Sequence, residues 1–178
     1  IGVTIQLNQS TITGNIADAD ASGNNGNGGG IAAFGSGTVI TLNGTIIAGN
    51  RDETGEAPDC AALDSGSINS AGHSLIGDTT GCTLSTLPTD ILDTDALLDT
   101  LKDNGGSTQT HALLPGSPAI DAGDTALTTD QRGIARPGVS AADIGAYESR
   151  GFSLALGSGN GQSTLINSAF ADPLVVTV

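Results

Sequence analysis

The chain has 178 residues, 37% of them hydrophobic and only 2% aromatic, with five Lys and Arg against nineteen Asp and Glu for a formal net charge of −14. A negative field of that size repels phosphate and anionic lipid headgroups, which argues against nucleic acid and membrane surfaces as partners. With so few rings, the core has to be built from Val, Ile, Leu and Ala in thin layers, while 27 glycines and many Ser, Thr and Asn serve turns.

In chain order, the first signal is a repeat. Gly2-Val3-Thr4-Ile5-Gln6-Leu7-Asn8 matches Gly37-Thr38-Val39-Ile40-Thr41-Leu42-Asn43, and Ser10-Thr11-Ile12-Thr13-Gly14-Asn15 matches Thr45-Ile46-Ile47-Ala48-Gly49-Asn50. A unit of this kind cannot bury its apolar side alone, so it stacks on copies of itself. Strands are expected at Val3–Leu7, Ser10–Thr13, Ile31–Phe34, Thr38–Leu42 and Thr45–Ala48, short β-branched runs bounded by Gly, Asn or Asp. A weaker third lap runs from Ile68 to Asp78, with Gly77-Asp78 standing in for Gly14-Asn15 and Gly49-Asn50. Equivalent asparagines, Asn8 with Asn43 and Asn15 with Asn50, are expected to lie over one another and hydrogen-bond along the stack. Asn8-Gln9-Ser10 and Asn43-Gly44-Thr45 also fit a glycosylation acceptor, a short match that chance explains. The glycine-rich loop Ser22–Gly30 has no following Lys and so does not read as a phosphate loop.

Cys60 and Cys82 have no second Cys pair or His cluster to make a zinc site. A disulfide is the expectation, which would place the chain in an oxidising compartment; two buried thiols are the alternative. Residues 1–82 are therefore read as the coil. Beyond them, Leu97, Leu98 and Leu101 among aspartates suggest one short helix near Asp95–Lys102, ended by Asn104-Gly105-Gly106, that caps or flanks the stack.

Residues 103–148 are the most specific stretch. They contain His111-Ala112-Leu113-Leu114-Pro115-Gly116-Ser117-Pro118-Ala119-Ile120-Asp121-Ala122-Gly123-Asp124, then Asp130-Gln131-Arg132-Gly133-Ile134-Ala135-Arg136-Pro137, then Asp143-Ile144-Gly145-Ala146-Tyr147-Glu148. This resembles the choice-of-anchor Q domain of bacterial right-handed parallel β-helix surface proteins. The resemblance implies an exported, surface-attached or secreted protein with a β-helical shaft. The fold expected is thus all-β: a right-handed parallel β-helix over 1–82, an irregular C-terminal capping segment over 83–150, and the start of a β-rich, Ig-like module over 151–178. Ile1 falls inside a lap and the chain stops in the apolar run Pro173–Val178, so a piece of a longer protein is expected.

Arg132 and Arg136 are two of the five cations and lie among acids. A guanidinium holds carboxylates in a planar fork, so Arg132 or Arg136 is expected to clamp Asp121 or Asp143 in a segment that lacks regular pairing. Tyr147 is expected to plug the terminal layer, and His111 to be a packed histidine.

Three function classes follow. A polysaccharide lyase or glycoside hydrolase needs paired acids, a base and usually aromatic platforms. Within the coil the single cation is Arg51 and the single ring that of Phe34; Asp18 and Asp20 lie in a loop, and Arg51-Asp52-Glu53 is the nearest thing to a lyase-like set. A cation- or glycan-binding module would use Asp121, Asp124, Asp130 and Asp143, with calcium as the ion, but regular calcium-loop spacing is missing. The third class is preferred: a non-catalytic structural and adhesive segment of an extracellular bacterial surface or fibre protein. Its partners would be neighbouring domains or subunits, or glycans, and Leu174–Val178 is expected either to pair with one of them by edge addition or to pair within its own module.

Overall fold

A computed structural model gives the structure of the chain and describes residues 2–19, 26–138, 140–152, 155–164, 168–173 and 175–177. Among them there is no helix. The first lap holds β1 (Thr4–Asn8), β2 (Thr11–Ile12), β3 (Ile16–Ala17) and β4 (Ile31–Phe34). The second holds β5 (Val39–Asn43), β6 (Ile46–Ile47), β7 (Arg51–Asp52) and β8 (Cys60–Leu63). Then follow β9 (Ser67–Ser70), β10 (Leu75–Ile76), β11 (Leu84–Ser85) and β12 (Ile91–Leu92), and far along the chain β13 (Ala155–Ser158) and β14 (Val175–Thr177).

The first twelve strands stack in parallel sheets. One sheet runs β1-β5-β9-β11 and a second β2-β6-β10-β12, with two-stranded sheets β3-β7 and β4-β8 completing the first two laps. The register is one residue over its repeat partner: Ile5 on Ile40 on Ile68, and Ile12 on Ile47 on Ile76. The laps shorten along the stack. Thr4 pairs with Val39, 35 residues on; Val39 pairs with Ser67, and Ile68 with Leu84 only 16 residues later. Cys60 in β8 is bonded to Cys82 just before β11, with Cα atoms 5.0 Å apart, which ties the second lap to the shortened ones below it.

Adjacent residues of a strand face opposite ways, so the Ile46-Ile47 and Leu75-Ile76 pairs send one side chain to each face of their sheet. Ile47 and Ile76 join Ile40, Leu42, Ile68, Ala33 and Cys60 in the interior of the coil. Ile46 and Leu75 point outward and are equally buried, against Ala96, Leu113, Ala119 and Ile144. Described residues of 95–149 therefore form a flank laid along the outer face of the β2-β6-β10-β12 sheet, the second of the two expected placements and not a cap over the end of the stack.

The helix expected near Asp95–Lys102 is absent. Leu97 has a φ of +49°, which breaks any right-handed turn. Asp99 N–H donates to Ala112 O, Leu114 N–H to Leu97 O, and Lys102 and Thr110 exchange backbone bonds. The leucines that mimic helical spacing are spread along an extended, antiparallel pairing, and Gly105-Gly106 belong to its turn. Coil pairing also outlasts the expected limit at residue 82, reaching Leu92. In the third lap Ile76 pairs with Ile47, so Gly77 lies over Ala48 and not over Gly49, one residue from the expected alignment.

Candidate functional site

The residues of the 130–148 stretch converge in one buried ionic network, built on two turns. In the first, the Asp130 carboxylate accepts the amides of Arg132 (2.8 Å) and Ile134 (2.9 Å) and closes the turn that carries Arg132. It also takes the Arg132 guanidinium through Nε (2.9 Å) and Nη2 (2.7 Å) and the amide of Glu148 (3.0 Å). Arg132 donates on to the carbonyls of Asn104 and Glu148 and lies over the Tyr147 ring, 3.6 Å from its centroid. Burial alone would raise the Asp130 pKa, but the bonds from Glu148, Arg132 and Ile134 prevail and hold it below the ordinary carboxylate value.

In the second, Arg136 Nη1 donates to Glu148 Oε2 (3.0 Å), to Asp143 O (2.8 Å) and to Gln9 Oε1 (3.2 Å), and Nη2 to Gly145 O (2.6 Å). Both members of this ion pair are almost wholly buried. Glu148 also accepts the amides of Asp143 (3.0 Å) and Gly138. The Asp143 carboxylate takes the amides of Asp121 (2.8 Å) and Ser149. Burial raises the Asp143 pKa against those amide bonds, with the Glu148 charge adding to the rise, and burial lowers that of Arg136.

The arginines are thus clamps, but their partners differ from those expected: Arg132 pairs with Asp130, and Arg136 with Glu148. Asp121 instead accepts the amides of Ser140 and Ala141, and Asp143 serves backbone amides. The reason is local. The Asp130-Gln131-Arg132 turn puts a cation two residues from its own acid, and Glu148 arrives as the chain returns beneath Arg136. Sequence reasoning missed Gln9, whose side chain joins the first corner of the coil to Arg136. It also missed Gly145, where a Cβ would meet Ile46 Cδ1 and Thr11 Oγ1 at 2.7 Å. Gly145 N–H donates to Gly44 O and Ala146 N–H to Thr11 Oγ1, so this glycine is where flank and coil touch backbone to backbone. Tyr147 packs against the apolar cluster between flank and coil, not in a terminal layer.

The asparagine stack is real at one corner. Asn15 donates through its amide (3.1 Å) and Nδ2 (2.9 Å) to Asn50 Oδ1, and Asn50 donates through its amide and Nδ2 to Asp59 Oδ1. Asp59 Oδ2 accepts the Asp78 amide, so Asp59 ends the ladder where the third lap falls out of step. Burial raises its pKa. Asn8 and Asn43 are register partners, with no side-chain hydrogen bond between them among the described residues.

The lyase-like set is spent on its own turn. Arg51 pairs with Glu53 at the surface, and Asp52 accepts the Thr54 amide and hydroxyl and the Ala57 amide. Asp20 lies outside the described residues, as do Leu174 and Val178 of the terminal run; Val175–Thr177 pairs antiparallel with Ala155–Ser158. His111 is half-buried, its Nδ1 2.7 Å from the backbone carbonyl of Asp99. Among the described residues, no group of three or more His, Cys, Asp or Glu is placed to hold a metal ion, and Asp121, Asp130 and Asp143 each accept backbone amides. No helix among these residues is long and apolar enough to cross a membrane.

In comparisons with known proteins, no family model, no curated protein and no solved structure matches the chain.

Proposed function

We propose that this chain is a non-catalytic structural segment of an exported bacterial surface or fibre-forming protein, a right-handed parallel β-helical shaft flanked by a segment of the choice-of-anchor Q type. One observation carries the reading. The residues that give the sequence its chemical character are consumed in holding the shape: Asp130, Arg132, Arg136, Asp143 and Glu148 bond to one another and to backbone groups. A catalytic pair needs a carboxylate facing bound substrate; a clamp needs it facing amides and guanidinium. The disulfide supports an exported setting. The role of the segment is to extend, resist proteolysis and present neighbouring modules.

The test is to incubate the chain with pectin and with alginate, with and without calcium, and to follow new reducing ends and unsaturated products. No product is expected. Product that disappears in the double variant Arg51→Ala, Asp52→Ala would replace this reading with a polysaccharide-degrading one.

A further inference from the structure

Four of the five cations are matched to an acid: Arg51 to Glu53, Lys102 to Asp99, Arg132 to Asp130 and Arg136 to Glu148. The fifth, Arg150, is exposed, and its guanidinium makes no ion pair or hydrogen bond among the described residues. It lines a cleft of about 370 Å³ within the flank, between the antiparallel pairing of 97–102 with 110–114 and the returning segment 147–152.

Scarce residue types gather there. Lys102, Arg132 and Arg150 stand against one acid, Asp99, in a chain whose formal net charge is −14. The chain has one Tyr, three Phe and no Trp, and two of those rings, Tyr147 and Phe152, line the same cleft. The ionic clamps do not account for this, since neither Arg150 nor Phe152 takes part in them.

The groups differ in how fully they are used. The Arg132 guanidinium is spent on Asp130 and on backbone carbonyls, and it lies 3.6 Å from the Tyr147 ring centroid, which fixes that ring in place. The Tyr147 hydroxyl makes no hydrogen bond among the described residues. Lys102 and Asp99 form a partly exposed pair, so the ammonium can turn to a second carboxylate at little cost. Phe152 is 46% exposed. The cleft thus offers a guanidinium, an ammonium, a phenol hydroxyl and an apolar ring.

We propose that this cleft binds an acidic saccharide. A uronate carboxylate sits in the fork of Arg150 beside Lys102, the apolar face of the sugar ring lies on Phe152, and a sugar hydroxyl meets the Tyr147 hydroxyl. A ligand dense in charge, such as a phosphate chain, would be repelled by the field of the whole molecule. One carboxylate per sugar ring keeps that repulsion small and leaves a face and hydroxyls for the uncharged groups. The site goes beyond the structural role proposed above and does not depend on it.

Tyr147 is the only tyrosine and there is no tryptophan, so the intrinsic fluorescence of the full chain reports on this cleft. The probes are a galacturonate trimer and a mannuronate trimer, with a neutral galactose trimer and a glutamate pentapeptide as controls. A saturable change is expected with at least one uronate and with neither control, and it should weaken as salt rises. Arg150→Gln alters an exposed side chain that holds nothing else, so the melting temperature should stay unchanged while binding weakens about tenfold. Phe152→Ala is expected to weaken the same binding by a smaller factor. No saturable change with either uronate, an equal response to the galactose trimer, or an affinity that Arg150→Gln leaves intact would overturn the proposal. Binding of the glutamate peptide as tight as that of the uronates would overturn it too, by assigning the cleft to an acidic protein segment.

Discussion

In the coil, Ile47 and Ile76 stack in an aliphatic column and each lap repeats the bonds of the one beneath, whereas in the flank Arg136, Glu148, Asp143 and Asp130 hold irregular backbone through a buried ionic network. The two regions share one sheet, which presents Ile47 inward to the first and Ile46 outward to the second. The difference teaches where charge is worth burying. A regular ladder satisfies its own amides, so its core stays apolar. Among its described residues the flank has isolated bridges in place of strands, and its amides find carboxylates instead.

The largest test of this contrast is Glu148→Gln. It strips Arg136 of its counter-charge inside the protein, and losing one partner of a buried pair costs about 3–5 kcal/mol. Amide exchange is expected to rise across residues 95–149 first, with the coil following only at higher denaturant. Uniform loss of protection in both regions would mean that they unfold as one unit.

The coil has its own staple. Reducing the disulfide Cys60–Cys82, whose cysteines are 22 residues apart, is expected to cost about 3 kcal/mol through the freed loop of the unfolded chain. Denaturant melts with and without reductant measure it, and the loss should fall on the coil.

Much of this contrast was legible beforehand in the coil and little of it in the flank. Ile5 over Ile40, and Asn15 over Asn50, follow from matching residues 35 apart, because in-register stacking puts like over like. The pairing of Arg132 and Arg136 did not follow. Nothing local distinguishes Glu148 from Asp121 and Asp143 as the acid for Arg136; the path of the chain back under Arg136 does. The flank's place was also hidden, since Leu97, Leu98 and Leu101 read as a helix until pairing with residues 110–114 draws them out.

The smallest expected effect is with pH, and it carries a sign. Asp143 and Asp59 have raised pKa values in the folded chain, so the folded form holds protons more tightly there than the unfolded one. Stability should therefore increase modestly as pH falls through the raised folded-state values of these two acids toward the ordinary carboxylate range. Asp130 and Asp52 are lowered, and the stability they contribute is present above the ordinary carboxylate pKa and lost as pH falls through their folded values. Melting temperature should rise gently and then collapse in strong acid. A steady decline from neutral pH would show that the buried acids are not held as described.

Taken alone, the sequence determined a stacked parallel coil with thin aliphatic layers, because a repeat that recurs at fixed spacing has one way to bury its apolar side. Tertiary structure decided that the coil's sheet is covered on its outer face and that Glu148 is the acid Arg136 meets. Those outcomes depend on where distant segments return to the coil, and no local propensity carries that information.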